Sequence, residues 1–183
     1  LDLFDAVEIS SEELAEAALV QEEAALSSKG ITNSGGSSAS AGFGGLVLVT
    51  SGGFAGHYVG SRFGRGISVI AGDGTGMERD YEFSSRIHYG ELEEPAVIGR
   101  KAAERAVRKI APRKAKTGPV NVVFDPRVAR GIAGHLAGAV NGAAVARKTS
   151  FLKDRMGEQV VAKGIRVTDN PLKMRGSASR PFD

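Results

Sequence analysis

The sequence predicts an α+β protein: an antiparallel β meander with three helices, one of them entered directly from a short strand as a strand-helix unit. Three observations predict it. A capping box opens an alanine-rich stretch near the start of the chain, glycine-punctuated runs of two-residue alternation fill its middle, and a β-branched run ends in Asp-Pro before a second helical stretch.

Ser10 and Glu13 form the S-x-x-E box, and Ile9 and Leu14 stand at hydrophobic-staple spacing, so a helix is expected over 10–28. Leu14, Ala18 and Ala25 follow a helical period loosely, and Lys29 with Gly30 supplies a basic last turn and a C′ glycine. The runs GLVLVTSGG, FAGHYVGSR and ISVIAGDGTG then alternate between turns and read as roughly four antiparallel strands from about Ser38 to about His88.

Pro95 opens a second helix to about Ile110, with Ile98, Ala102, Ala106 and Ile110 on one stripe. Arg100, Lys101, Arg105, Arg108 and Lys109 are expected to project to solvent or to a partner. PRKAKTGP reads as a linker and VNVVF as a short buried strand. Asp125 as N-cap and Pro126 at the first position start a third helix, whose Val128, Ile132, Ala139 and Ala143 are expected to face the core. VVAKGIRVTD suggests one or two further strands and NPLKMRGSASRPFD a loop. The natural division is residues 1–92, a capped helix plus meander, and residues 93–183, a helix-strand-helix unit with a β and loop segment.

The chain has 183 residues, 42% hydrophobic and 25% charged, the balance of a folded globular protein. No apolar run approaches the ~18 residues that span a bilayer, and LDLFDAVEIS has neither a basic nor an apolar leader region, so no membrane association is expected. The start at Leu1 and the stop at SRPFD read as the ends of a fragment. Without cysteine there is neither a disulfide framework nor a thiolate metal site, and a reducing cytoplasm is expected. A net charge of +3, from 24 Lys and Arg against 21 Asp and Glu, is too small to imply nucleic acid.

Little in the sequence carries chemistry of its own. His57, His88 and His135 are too far apart in sequence for a local metal site, and HExxH is absent. His135 falls between Ile132 and Ala139 on the apolar side of the third helix and reads as a packed core histidine. GDGTG lacks the Lys-Ser/Thr ending of a phosphate loop and reads as a hairpin turn, GFGG is weaker still, GxSxG is absent, and no histidine has an obvious paired acid. Glu91, Glu93 and Glu94 gain from the dipole of the helix that Pro95 starts. A basic helix face is ordinarily a solvated one; a partner or nucleic-acid surface at Arg100, Arg105 and Arg108 is the alternative, weakened by the lack of interleaved aromatics.

Four longer strings say more: MERDYEFSSR (Met77 to Arg86), EPAVIGRKAAERAV (Glu94 to Val107), NVVFDPRVARGIAGHLAGAVNGAAVARKTSFLKDRMGEQV (Asn121 to Val160) and DNPLKMRGSASRPFD (Asp169 to Asp183). In composition, order and spacing they resemble the PmbA/TldE family, over nearly the whole chain. The resemblance implies a cytoplasmic protein, once named a modulator of DNA gyrase, that pairs with a TldD-like metalloprotease subunit to degrade or mature unstructured peptides. It also implies an α/β region before this segment and a large β-rich domain after it, where metal coordination in the active subunit is completed.

In the TldD branch the helix after the strand carries His-Glu-x-x-x-His, two metal ligands and a glutamate that activates the metal-bound water. The matching positions here are His135, Leu136 and Val140. Leucine cannot move a proton and valine cannot bind zinc; loss of the base alone costs roughly 10² to 10⁴ in rate. The resemblance therefore implies a metalloprotease-family member with no catalytic residue and no bound cofactor of its own, with zinc in the partner subunit and peptides as substrates. A homodimer is compatible with it, and nucleic acid is not the expected partner. The alternative is a regulatory module that contacts gyrase or nucleic acid through the basic helix face.

Overall fold

The computed structural model describes residues 1–182. By its internal packing the chain divides into two compact units, Leu1–Lys114 with Asn170–Asp183, and Ala115–Asp169. The break therefore falls inside the PRKAKTGP linker rather than at residue 93, and the second helix belongs with the sheet.

In the first unit, Ser10 caps α1 (Ser11–Leu26) with both arms of the capping box formed. Gly30, at φ +92°, turns the chain into β1 (Ile31–Val49), which pairs antiparallel with β2 (Ala55–Ala71) along its whole length. β3 (Glu78–Arg86) pairs antiparallel with β2 from Phe63 to Ala71, giving an open sheet of order β1-β2-β3. The expected four strands are three long ones, because the glycines of ITNSGGSSASAGFGG lie within β1 instead of ending it. GDGTG is a turn, as its glycines suggest: Gly72 and Gly74 take positive φ. A Cβ at Gly72 would stand 2.8 Å from the Gly76 carbonyl.

α2 (Pro95–Arg108) and α1 pack together against one face of the sheet. Ala25, Ile67, Val69, Ala71, Ile98, Ala102 and Ala106 form the core. Full burial of a residue such as Ile98 or Val69 is worth about 1.5–3 kcal/mol. The helices approach so closely that a Cβ on Gly99 would lie 2.2 Å from the Gln21 carbonyl oxygen. Gln21, fully buried, pins α1 to β1 by donating from Nε2 to Ser37 Oγ and to the Ser38 carbonyl, each at 3.1 Å. A second apolar centre forms at Phe63, which meets Tyr89 and Phe43 edge-on at 5.5 and 6.1 Å.

The second unit is helical and loosely packed. Asp125 caps α3 (Pro126–Val140) by accepting from the Arg127 N–H at 2.9 Å, as the Asp-Pro signal predicts. Asn141 then caps the short α4 (Gly142–Ala146). Ala139, Ser150 and Leu152 are buried, held by Ser150 Oγ donating to the Ala139 carbonyl at 2.5 Å. Two expectations fail in this unit. VNVVF forms no strand, and neither does VVAKGIRVTD: a strand needs a neighbour's N–H and C=O groups, and no strand is described between residues 115 and 169. Val128 and Ile132, expected in a core, are 59% and 55% exposed, and Ala143 is exposed as well.

Candidate functional site

α3 carries the three positions His135, Leu136 and Val140. With 3.6 residues per turn, Leu136 and Val140 share a face one turn apart, with His135 beside Leu136. His135 is exposed rather than packed in a core, because the apolar stripe of α3 is itself uncovered. Among the described residues its imidazole has no hydrogen-bond partner. Leu136 is half-buried and Val140 is 58% exposed. The three positions offer one imidazole and two hydrocarbon side chains, so they do not fit a metal ion. Elsewhere among the described residues, no three His, Cys, Asp or Glu side chains gather into a group that could hold one.

The basic side of α2 turns out to be two rows. Lys101, Arg105 and Lys109, one turn apart and next to the buried Ile98-Ala102-Ala106 stripe, all meet carboxylates. Lys101 pairs with Glu93, Arg105 Nε lies 3.1 Å from Glu82, and Lys109 Nζ lies 3.0 Å from Asp80. Asp80 and Glu82 point from β3 into the helix-covered face of the sheet, and burial makes their charge costly unless it is compensated. The expectation that Arg105 projects to solvent with Arg100 and Arg108 is thus corrected: the lysine and arginine row compensates an acidic row on the strand beneath. That acidic row was legible as the alternation Asp-Tyr-Glu-Phe at 80–83. Arg100 and Arg108 do face solvent, and Arg108 lies 3.8 Å from Glu104 one turn earlier.

A cluster that sequence spacing could not reveal gathers around His88. Its Nε2 lies 3.3 Å from Asp2 Oδ1 and its Nδ1 3.9 Å from Asp5 Oδ2, so this histidine does have paired acids, more than eighty residues away in the chain. Asp5 also accepts from the Tyr89 N–H at 2.9 Å. Arg175 bridges Asp2 and Glu91 at 2.5 and 2.6 Å. The guanidinium holds the Asp2 carboxyl below the usual carboxylate range, and hydrogen bonds to Glu91 and Asp2 raise the Arg175 pKa. The network fastens the first residues and the last segment within the first unit, and the Ser61 hydroxyl joins it by accepting from the Asp5 N–H at 2.9 Å and donating to the Ile87 carbonyl at 2.6 Å.

The family model described as the PmbA/TldA metallopeptidase central domain matches residues 4–110, and the one described as the C-terminal domain of the same family matches residues 117–183. The gap between them coincides with the linker. Over its whole length the chain is 37% identical to the Metalloprotease PmbA of Escherichia coli O157:H7 and 36% identical to a Metalloprotease PmbA homolog of Haemophilus influenzae. It spans 41% of the length of each. A crystal structure from Bacteroides thetaiotaomicron, described as a candidate modulator of DNA gyrase, superposes on the whole chain with a TM-score of 0.92 at 27% identity, the chain covering 42% of it. A Thermotoga maritima structure with the same description also gives 0.92, at 19% identity and 43% coverage, and supports the fold alone. Among the described residues no helix is long and apolar enough to cross a membrane. With the central-domain model covering more than half of its residues, the chain belongs to the PmbA/TldD metallopeptidase family.

Proposed function

We propose that this chain belongs to a non-catalytic subunit of a peptide-processing metallopeptidase assembly, in which a TldD-like partner supplies zinc, the activated water and the general base. The observation that carries this reading is the pair Leu136 and Val140, hydrocarbon side chains where a carboxylate and an imidazole are required, on a helix that keeps His135. Hydrolysis of an amide needs a base to take the proton of the attacking water and an electrophile to hold the developing oxyanion. Neither Leu136 nor Val140 can do either. What this chain contributes is scaffold and substrate path. The 19-residue β1 lies at the edge of the sheet, and an extended peptide can add to such an edge through main-chain hydrogen bonds.

A gyrase- or DNA-contacting role would draw on the exposed Arg100 and Arg108 and is weakened by the commitment of Arg105 to Glu82. The deciding experiment purifies the full-length protein and its TldD-like homologue, measures bound zinc, and assays cleavage of an unstructured peptide by each alone and by both together. Cleavage by the pair only, with zinc in the homologue, is expected. Stoichiometric zinc in the full-length protein alone, together with cleavage in the absence of the homologue, overturns the proposal.

A further inference from the structure

Beyond the end of β3, the β1–β2 ladder continues as a two-stranded arm, and one face of it is paved with glycine. Gly42 pairs with Arg62, Gly44 with Gly60, and Leu46 with Tyr58. Side chains alternate along a strand, so Gly42, Gly44, Leu46, Tyr58, Gly60 and Arg62 belong to one face. Glycine weakens a strand interior and there commonly marks a place where a ligand or another backbone comes close. The consequence is a hollow of about 400 Å³, within the first unit, floored by this bare ladder and walled by Tyr58, Arg62, Ser177, Ser179 and Arg180. A Cβ on Gly44 would meet nothing within 4 Å and would project into open space.

Among the described residues the charge of this hollow is unbalanced. Arg62 donates one Nη2 bond to the Ser177 carbonyl at 3.0 Å, and Arg180 one Nη1 bond to the Tyr58 hydroxyl at 3.2 Å. Neither has a carboxylate partner among the described residues, and no Asp or Glu lines the walls. Arg105, Arg108, Arg155 and Arg175, by contrast, are all matched to acids. Each guanidinium carries five N–H donors in a planar fork suited to a carboxylate, so most of the donor capacity of Arg62 and Arg180 is unspent.

We propose that the glycine-floored hollow between Arg62 and Arg180 is a subsite for a peptide carboxylate, the bare ladder admitting the peptide backbone while the two guanidiniums take its negative charge. The identification of the ligand as a peptide rests on the proposed role in peptide processing; the recognition of an anion rests on the hollow itself.

The test is direct binding, which needs neither partner nor cleavage. Three fluorescein-labelled unstructured hexapeptides are titrated against the full-length protein by fluorescence anisotropy: one with a free C-terminal carboxylate, one amidated, and one amidated with an internal glutamate. Tighter binding of the first than the second assigns the site to a chain terminus, and tighter binding of the third assigns it to an acidic side chain. Arg62→Met with Arg180→Met is expected to weaken the preferred peptide by about tenfold or more while leaving the uncharged one unchanged. Gly44→Val, which the strand accommodates, is expected to weaken all three by filling the floor. Equal binding of charged and uncharged peptides by the unmodified protein overturns the proposal, as does undiminished preference in the double variant with an unchanged circular dichroism spectrum. Loss of this binding preference would leave the subunit assignment standing, since that is decided by zinc and cleavage.

Discussion

The two units use similar local signals and reach different degrees of burial. Each opens a helix with an acid or hydroxyl cap: Ser10 before α1, Asp125 before α3. Each helix then carries apolar residues at helical spacing. In the first unit a sheet and a second helix cover those residues, and Ala25, Ile98, Ala102 and Ala106 are fully buried. In the second unit Val128 and Ile132 remain more than half exposed, and Val123 in the preceding segment is 96% exposed. A cap and a stripe specify that a helix forms and which side is apolar; they do not provide the surface that covers it.

The contrast can be attacked by mutation, starting with the strongest site. Phe63→Ala, which removes a fully buried ring from between Phe43 and Tyr89, is expected to cost about 3–5 kcal/mol in urea unfolding. A cost under a third of that would mean the second apolar centre of the unit is not a true core. Next comes Gly99→Val at the α1–α2 crossing, where the new side chain collides with the Gln21 backbone; about 1–3 kcal/mol of destabilisation is expected, visible as a lowered unfolding midpoint. Wild-type stability there would show that the helices can separate freely.

The caps allow a matched test. Ser10→Ala and Asp125→Ala should each cost their own helix about 1 kcal/mol. Hydrogen exchange should localise the first to α1 and the second to α3. Ile132→Ala is expected to change stability by less than about 0.5 kcal/mol, because its side chain has little burial to lose. A large loss in unfolding experiments would show that the α3 stripe is covered in solution.

The smallest effect is local and depends on pH. The Asp2 carboxyl is held below its ordinary value chiefly by the hydrogen bond from Arg175. A depressed carboxylate stabilises the folded contact fully above its unfolded pKa and loses that contribution as pH falls through the lower folded value. Protection of the first five amides, taken as the intrinsic exchange rate over the observed rate at each pH, should therefore fall as the solution is acidified through and below the normal aspartate range. Arg175→Met should give the lower protection already at neutral pH. Protection that does not change with pH in the unmodified protein would show that Asp2 does not hold these residues in place.

Much of the fold was legible residue by residue. The Ser10-Glu13 box, Asp125-Pro126 and the GDGTG turn all sit where the spacing places them, because each acts over four or five residues of chain. VNVVF was misread for a reason of the same kind: β-branched residues state a preference for extended backbone, and a strand also requires a partner. Arg105 was misread because its acid lies on β3, twenty-three residues away, though the alternating acids of that strand were visible. That Leu136 and Val140 offer no metal donor needed only the sequence, since donor capacity is a matter of residue type. The pairing of Arg62 with Arg180 around the hollow could not be seen there, because they stand 118 positions apart in the chain.

By itself the sequence determined what depends on neighbours along the chain: where helices start, which stripe is apolar, and where glycine permits a turn. Tertiary structure alone decided which stripes are buried, which cations meet acids, and where two arginines come to line one cavity. The physical reason is range. Capping and turn energies act within a few residues, whereas burial and charge compensation are set by whichever groups folding brings within a few ångströms, whatever their separation in sequence.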